Sequence, residues 1–205
     1  PKHFFGREHN RPSSCKCLQK LRWQFSVARK SCEADQVMSL RPFLWRTIGV
    51  ALFSCTPHNA YVFRTALLKL FGMRCGKRVR TRRSVRIDKP WNLVTGDLVI
   101  FGDGALICAG EPIQIGNRCV VSQYAMLTTV TGDCETAGRT ERRGSITIED
   151  DCWVATDAVV MPSSHIESGV VVGARSLVSG HLPAWRICTG EPAEPRTERV
   201  LYGTA

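Results

Sequence analysis

The sequence predicts an all-β solenoid, a three-sided coil of short strands and turns, with a helical cap at its N-terminal end. Three observations lead there. Aliphatic residues recur every six positions from Ile148 through Val154, Val160, Ile166 and Val172 to Val178. Two residues before each stands a small or aliphatic partner: Ile146, Cys152, Ala158, Ser164, Val170 and Ser176. Ahead of the repeat, the apolar pattern changes to a helical one. A six-residue period matches neither a helix nor a plain strand. It matches a short strand plus a turn, three of which close a triangular turn of about 18 residues that stacks on the next by strand pairing. One aliphatic side chain at each inner corner then builds a continuous apolar column.

The elements follow in chain order. The chain opens on Pro1, and residues 1–37 show no sustained period. With Arg7, Arg11, Lys16, Lys20, Arg22, Arg29 and Lys30 they read as a basic leader, disordered or translated from upstream of a start at Met38. A transit peptide is the functional alternative. Residues 38–73 read as a helical cap. Phe43, Leu44, Ile48, Ala51 and Leu52 fall at helical spacing, and Pro57 closes that segment. Tyr61, Val62, Ala66, Leu68, Leu70 and Phe71 form a second helix that ends at Gly72. Residues 74–205 form the coil. Val79 and Val85, then Thr95, Phe101 and Ile107, then Ile115, Val121 and Leu127 repeat the period, and Gly110-Glu111-Pro112 marks a two-residue slip between runs. The pattern stops between Thr128 and Ser145 and returns in phase. That stretch, 128–145, is a polar loop leaving the coil, and such insertions carry function.

Composition bounds the rest. The 205 residues are 43% hydrophobic and 22% charged, which suits one folded domain rather than a disordered chain. The most apolar stretch, 43–55, contains Arg46 and is too short to cross a bilayer. The ten cysteines show no CxxC or His-paired spacing, so neither zinc nor another metal is expected; reduced thiols in a cytoplasmic protein are. Charge is uneven: residues 1–89 carry 20 Lys and Arg against 4 Asp and Glu, and residues 90–205 carry 8 against 14.

Residues 148–160, Val172-Gly-Ala-Arg-Ser-Leu-Val178, Leu182-Pro-Ala-Trp185 and Gly190-Glu-Pro-Ala193 resemble the hexapeptide-repeat acetyltransferases. Pro90-Trp-Asn-Leu93 and Val121-Ser-Gln123 resemble the colanic-acid-biosynthesis branch, related to galactoside O-acetyltransferases. The resemblance spans roughly residues 38–201. It implies a left-handed parallel β-helix, a hand that the period alone does not give, since parallel crossovers elsewhere are right-handed. It also implies a homotrimer, acetyl-CoA as co-substrate in a groove between neighbouring coils, and a saccharide hydroxyl as acceptor, on a free or a lipid-linked glycan.

Acetyl transfer from a thioester to a hydroxyl needs a base for the hydroxyl proton, a donor for the oxyanion and two substrates held together. In the family the base is a histidine in the loop that leaves the coil. Here Gly132 or Asp133 stands at that place, and the five histidines (His3, His9, His58, His165 and His181) lie elsewhere. Asp133 is the candidate base, provided its surroundings raise its pKa well above about 4; Arg139, Arg142 and Arg143 nearby work against that. His165 reads as a surface residue at a corner, and His181 as a surface residue in the turn after the last repeat.

By the same resemblance, Trp153, Thr156, Ala174, Ser179 and Gly180 line the coenzyme arm, and Pro192 and Ala193 with Gly190 form the tail motif. Glu194 stands where a basic residue meets the nucleotide phosphates, with Arg196 or Arg199 to compensate. Gln123 and Tyr124, on the coil before the loop, are placed to position the acceptor; ordinary coil surface is the alternative for both. The basic run over 74–89 lacks interleaved aromatics and any nucleic-acid reader motif, so no nucleic acid is expected. A solvated outer face or a peripheral contact with anionic lipid accounts for it. The reading is an acetyl-CoA-dependent O-acetyltransferase of cell-surface polysaccharide synthesis, with a catalytically impaired trimeric scaffold or sugar-binding homologue as the alternative.

Overall fold

The computed structural model describes residues 40–132 and 140–201. The expected leader 1–37 and the candidate base Asp133 lie outside the described residues. Two helical segments precede a β-helix of about five turns. The first turn is β1 (Arg74–Cys75), β2 (Arg80–Thr81) and β3 (Arg86–Ile87); the second is β4 (Leu93–Thr95), β5 (Ile100–Phe101) and β6 (Leu106–Cys108). The third is β7 (Ile113–Ile115), β8 (Val120–Val121) and β9 (Met126–Thr128). A hairpin of β10 (Val130–Gly132) and β11 (Glu141–Arg143) then leaves the coil. The fourth turn is β12 (Ile146–Ile148), β13 (Trp153–Val154) and β14 (Val159–Val160); the fifth is β15 (His165–Ile166), β16 (Val171–Val172) and β17 (Leu177–Val178). After β18 (His181–Leu182) and β19 (Arg186–Gly190), β20 (Ala193–Glu198) folds back antiparallel on β19.

Stacking these turns gives a left-handed parallel β-helix with three faces. Face one is β1-β4-β7-β12-β15-β18, face two β2-β5-β8-β13-β16-β19-β20, and face three β3-β6-β9-β14-β17. The register explains the sequence phase. Val94 pairs with Gln114, 20 residues on, whereas Thr147 pairs with His165, 18 residues on. Only the later turns are built from three plain six-residue units, which is why the repeat reads cleanly from Ile148 and slips before it. The pair Gln114–Thr147 spans the hairpin and stays in register, so the insertion leaves the stack intact.

In each two-residue strand the second side chain points inward. Ile148, Val154, Val160, Ile166, Val172 and Val178 are all buried, and so are the earlier Phe101, Ile107, Ile115, Val121 and Leu127. Burying an aliphatic chain of this size is worth about 1.5–3 kcal/mol over exposing it. Cys119, Cys152 and Cys188 occupy inner positions as small apolar residues. Hydrogen bonding to Cys119, together with burial, pushes the Cys152 thiol far up, and burial raises Cys188, so both stay protonated. The six described cysteines form no disulfide.

The corners repeat as well. Among the described residues, nine non-glycine residues, including Arg78, Leu98, Arg118 and Asp151 along one edge, adopt positive φ. Seven of their amides donate to a corner carbonyl of the turn below, as Leu98 does to Lys77, Arg118 to Asp97 and Asp151 to Asn117. Each stacked bond offsets a left-handed conformation that costs about 1–2 kcal/mol. Acidic side chains join this edge. Asp150 accepts from the backbone and side-chain amides of Asn117, Asp151 from Arg118, and Glu149 from Ser168 and His165. Glu167 accepts from His181 and the Ala184 amide. These bonds hold all four carboxyls below their usual range. A depressed carboxyl stabilises the fold above its unfolded-chain value and loses that contribution as pH falls through its folded value. The melting temperature is therefore expected to hold from neutral pH to about 5 and to fall below about 4. Asp150→Asn should flatten part of that fall, and thermal melts across the range check both; a level profile down to about pH 3 contradicts the assignment.

The cap sits against the first turn. The first segment runs as α1 (Leu40–Leu44), a π-helical turn (Trp45–Gly49) and α2 (Val50–Ser54). The face it buries is Trp45, Gly49 and Phe53, at i, i+4 and i+8. Phe43, Ile48 and Leu52, which carried the helical spacing in the sequence, are exposed. Gly49 makes room for the Trp45 ring, since a Cβ there would collide with the indole. The second segment, α3 (Tyr61–Leu70), ends as expected at Gly72, whose φ of +97° suits glycine. Gly72 N–H donates to Lys69 O and Met73 N–H to Leu68 O, closing the helix end. No helix among the described residues is long and apolar enough to cross a membrane.

Candidate active site

The sequence-predicted site residues lie on the upper turns, distributed over one face and two edges. The edge between faces two and three carries Gln123 and Tyr124, then Thr156, then Ala174, one above the other. The stacking is set by backbone bonds: Tyr124 N–H to Asp103 O, Asp157 N–H to Gln123 O, and Arg175 N–H to Thr156 O. Tyr124 has φ +59° and is 62% exposed, with its ring over Gly104, where a Cβ would meet the ring at 2.6 Å. Continuing up this edge, the turn between β19 and β20 brings Gly190, Pro192 and Ala193 to the top. Ala193 is buried on the core and Pro192 is exposed.

Trp153 stands on face two, below Val171 and above Val120. It is 46% exposed, and its indole N–H donates to Ser122 Oγ at 2.8 Å, which holds the ring against the face. Above Arg80 of the first turn, the outward file on this face is apolar: Ile100, Val120, Trp153, Val171 and Ile187. Face three is apolar outward too, with Leu106, Met126, Val159 and Leu177 in one file, and Cys108, Met126 and Val159 forming a second buried cluster. Face one presents Val94, Gln114, Thr147, His165 and His181, mostly polar.

Ser179 and Gly180 lie on a different edge, between faces three and one. Gly180 has φ +106°, and a Cβ there would meet nothing within 4 Å. Its amide donates to Ser164 Oγ and its carbonyl accepts from His165 N–H. The hairpin leaves the coil on this same edge, two turns lower, so Gly132, at the end of β10, stands out from it. Of the hairpin arginines, Arg143 pairs with Glu141 at 2.8 Å and with Glu111 at 3.7 Å. Gly144 passes tightly over Ser163, which links the hairpin to the turn that delivers His165.

His165 and His181 are exposed, as read from the sequence, but they lie on β15 and β18 rather than at a corner or in a turn, and each has a carboxylate partner that spacing alone did not reveal. His165 Nε2 lies 2.9 Å from Glu149 Oε1 and His181 Nε2 lies 2.8 Å from Glu167 Oε1, with the two rings 5.5 Å apart. The signal was present: Glu149 and Glu167 sit 18 residues apart, the length of a turn, and strand pairing does the rest. Among the described residues no three His, Cys, Asp or Glu side chains converge on one point, so this is a hydrogen-bonded file.

At the top of the coil, Arg196 lies 3.4 Å from Glu194, so the two charges face each other on β20. Arg199 serves a different purpose. Its guanidinium donates to Asp151 O at 2.6 Å and Gly169 O at 2.9 Å and lies over the Trp185 ring. It pins the returning strand to the edge between faces one and two, away from Thr156 and Ala174. Of the two arginines weighed against Glu194, only Arg196 stands near it.

The comparisons with known proteins agree with this architecture. No family profile matches the chain. The "Putative colanic acid biosynthesis acetyltransferase WcaF" of Escherichia coli (strain K12) is 40% identical over 157 residues, which is 77% of this chain and 86% of that protein. The chain belongs to the hexapeptide-repeat acetyltransferase family. Within it, a protein of the same description from Shigella flexneri matches equally. Among solved structures, a galactoside acetyltransferase in complex with coenzyme A superposes with a TM-score of 0.70 at 20% identity, over 80% of this chain and 84% of that one. A maltose O-acetyltransferase from Clostridium difficile 630 gives a TM-score of 0.68 at 21% identity, over 74% and 83%. These structures share the fold of this hexapeptide-repeat protein.

Proposed function

We propose that this hexapeptide-repeat protein transfers an acetyl group from acetyl-CoA to a saccharide hydroxyl, in cytoplasmic synthesis of a cell-surface polysaccharide. The observation that carries the reading is the 40% identity, over 77% of the chain, to an acetyltransferase described for colanic acid biosynthesis. The geometry supports it. Thr156 and Ala174 form one open ladder with the Gly190–Ala193 turn above, while Ser179 and Gly180 lie across face three. A long, thin coenzyme touching both edges fits a groove between two copies of the chain, each contributing one edge. The apolar outward files of faces two and three suit such packing, because a three-sided prism in a ring of three turns two faces to its neighbours. Small side chains at Ala174, Ser179 and Gly180 leave the room the arm needs. Glu194 works against phosphate binding there, and its pairing with Arg196 offsets part of that charge.

Two residues compete for the role of base. Asp133 occupies the loop position. His165, oriented by Glu149, has the base-plus-orienter arrangement that proton abstraction requires, on face one next to the edge from which the hairpin leaves. Tyr124 and Gln123 then position the acceptor.

The test is ligand-dependent stabilisation and thiol release. At about 100 times its Kd, acetyl-CoA should stabilise the protein by about 2.7 kcal/mol. Ala174→Trp fills the ladder and is expected to weaken that binding at least about tenfold, about 1.4 kcal/mol. In solution the protein should run at three chain masses. Thiol release from acetyl-CoA with a saccharide acceptor supports the reading. Coenzyme binding without release over a sugar panel favours the impaired scaffold; no coenzyme binding at all rules out both.

A further inference from the structure

The base of the prism carries two features that acetyl transfer does not use. The first is apolar. Leu40, Phe43, Ile48, Val50 and Leu52 on the first helical segment, and Val62, Phe63 and Leu70 on α3, are all exposed, Val62 at 85% and Leu70 at 79%. The opposite sides of the same helices, through Trp45, Phe53, Leu67 and Leu68, close the open end of the coil. The apolar residues therefore cover the outside of the cap, which monomeric soluble proteins avoid over any large area.

The second feature is charge. Residues 40–89 hold 12 Lys and Arg against a single Asp. The outward positions of the first turn are Arg74, Arg80 and Arg86, one on each face. The same positions one turn higher are Val94, Ile100 and Leu106. Lys77 and Arg78 occupy the first corner, and Arg82 and Arg83 the second. Positive charge thus encircles the first turn and stops there. Beside it, a cavity of about 610 Å³ between the first helical segment and face three is walled by Trp45, Phe53, Ile87 and Leu106 and rimmed by Arg46 and Arg83.

An apolar helical surface inside a basic ring is the arrangement that seats a protein in the headgroup region of an anionic bilayer. We propose that the cap and first turn dock this protein on an anionic lipid surface, with the coil axis standing away from it. The alternatives read differently. A nucleic acid would use the ring and leave the apolar face without a partner, and a purely solvated ring would not explain the apolar face at all. The inference stands apart from the acetyl-transfer reading, because binding is measured without acetyl-CoA.

The experiment is flotation of the full chain with phosphatidylcholine vesicles, with and without phosphatidylglycerol. Binding is expected only with phosphatidylglycerol and should weaken as salt rises. A basic residue at such a surface is worth about fivefold in partitioning, so Lys77→Ser/Arg78→Ser/Arg80→Ser should reduce binding about 100-fold. Val62→Ser/Phe63→Ser/Leu70→Ser changes only exposed side chains; it should keep the melting temperature and lose the binding that survives in salt. The proposal is overturned if the full chain does not float with phosphatidylglycerol, or if either triple variant, still folded, floats like the parent. It is overturned in favour of nucleic acid if an oligonucleotide binds, unaffected by the apolar variant, while vesicles do not. If vesicles are bound only once residues 1–39 are deleted, the cap is covered by the chain's own N-terminal segment and the proposal likewise fails.

Discussion

Asp133→Asn is expected to lower kcat for acetyl transfer by about 10²–10⁴-fold, the usual worth of a positioned general base. The KM for acetyl-CoA should stay near its parent value, because the variant removes a proton acceptor for the acceptor hydroxyl and leaves the coenzyme-lining residues Thr156 and Ala174 unchanged. His165→Gln is the paired variant. It keeps a polar group on β15 facing Glu149, so the fold has no reason to fail. If Asp133 is the base, His165→Gln retains most of the activity. If His165→Gln instead removes the activity and Asp133→Asn does not, the Glu149–His165 pair is the base. If neither variant moves kcat, acetyl transfer does not run through either residue and the impaired-homologue reading gains. Stopped assays of thiol release at saturating acetyl-CoA separate these outcomes, and unchanged melting temperatures exclude misfolding as the cause.

Arg64→Ala is expected to destabilise the cap by roughly 3–5 kcal/mol, the range seen when a buried charged group and its partners are separated. Arg64 is fully buried on α3. Its Nε donates to Thr81 O at 2.7 Å, Nη1 to Thr56 Oγ1 at 2.7 Å and Pro57 O at 2.9 Å, and Nη2 to His58 O at 2.8 Å. One guanidinium thus holds the Pro57 and His58 carbonyls of the chain leaving α2 and ties that chain to β2 of the first turn. Burial lowers its pKa, but from so high a starting value that it stays charged. Removing it takes the guanidinium donor from the Thr81 and His58 carbonyls, at about 1–3 kcal/mol each before water partly relieves it, while Pro57 O keeps the Ala60 N–H. Arg64→Lys should recover only a minor part, since a single ammonium cannot reach this forked set of acceptors. Urea denaturation followed by helical circular dichroism reads the effect. A loss below about 1 kcal/mol would mean that water replaces the guanidinium without cost.

The two predictions differ in how far the sequence alone reaches. The coil was legible because an inward position in a stacked turn must be apolar whatever surrounds it. Ile148 to Val178 declares that every six residues, and the broken runs before it record turns of 20 rather than 18. The polar insertion was legible for the same reason, as an interruption that returns in phase. The helices were legible as helices, but not the side that packs. Phe43, Ile48 and Leu52 satisfy the helical spacing as well as Trp45, Gly49 and Phe53 do, and only the open end of the coil selects the second set. A guanidinium such as Arg64 reads as one more basic residue until Thr81, 17 residues on, is folded over it.

The sequence by itself determined the repeat, the column and the family, because these rest on local spacing and on residue types at fixed intervals. Tertiary structure alone decided which side chains share an edge. It aligned Tyr124, Thr156 and Ala174, set Ser179 and Gly180 across face three, gave His165 its carboxylate, and drew Arg199 onto Asp151, 48 residues away. Those contacts follow from strand register between turns, and register is settled by the burial of a whole turn at once, which no single stretch of chain contains.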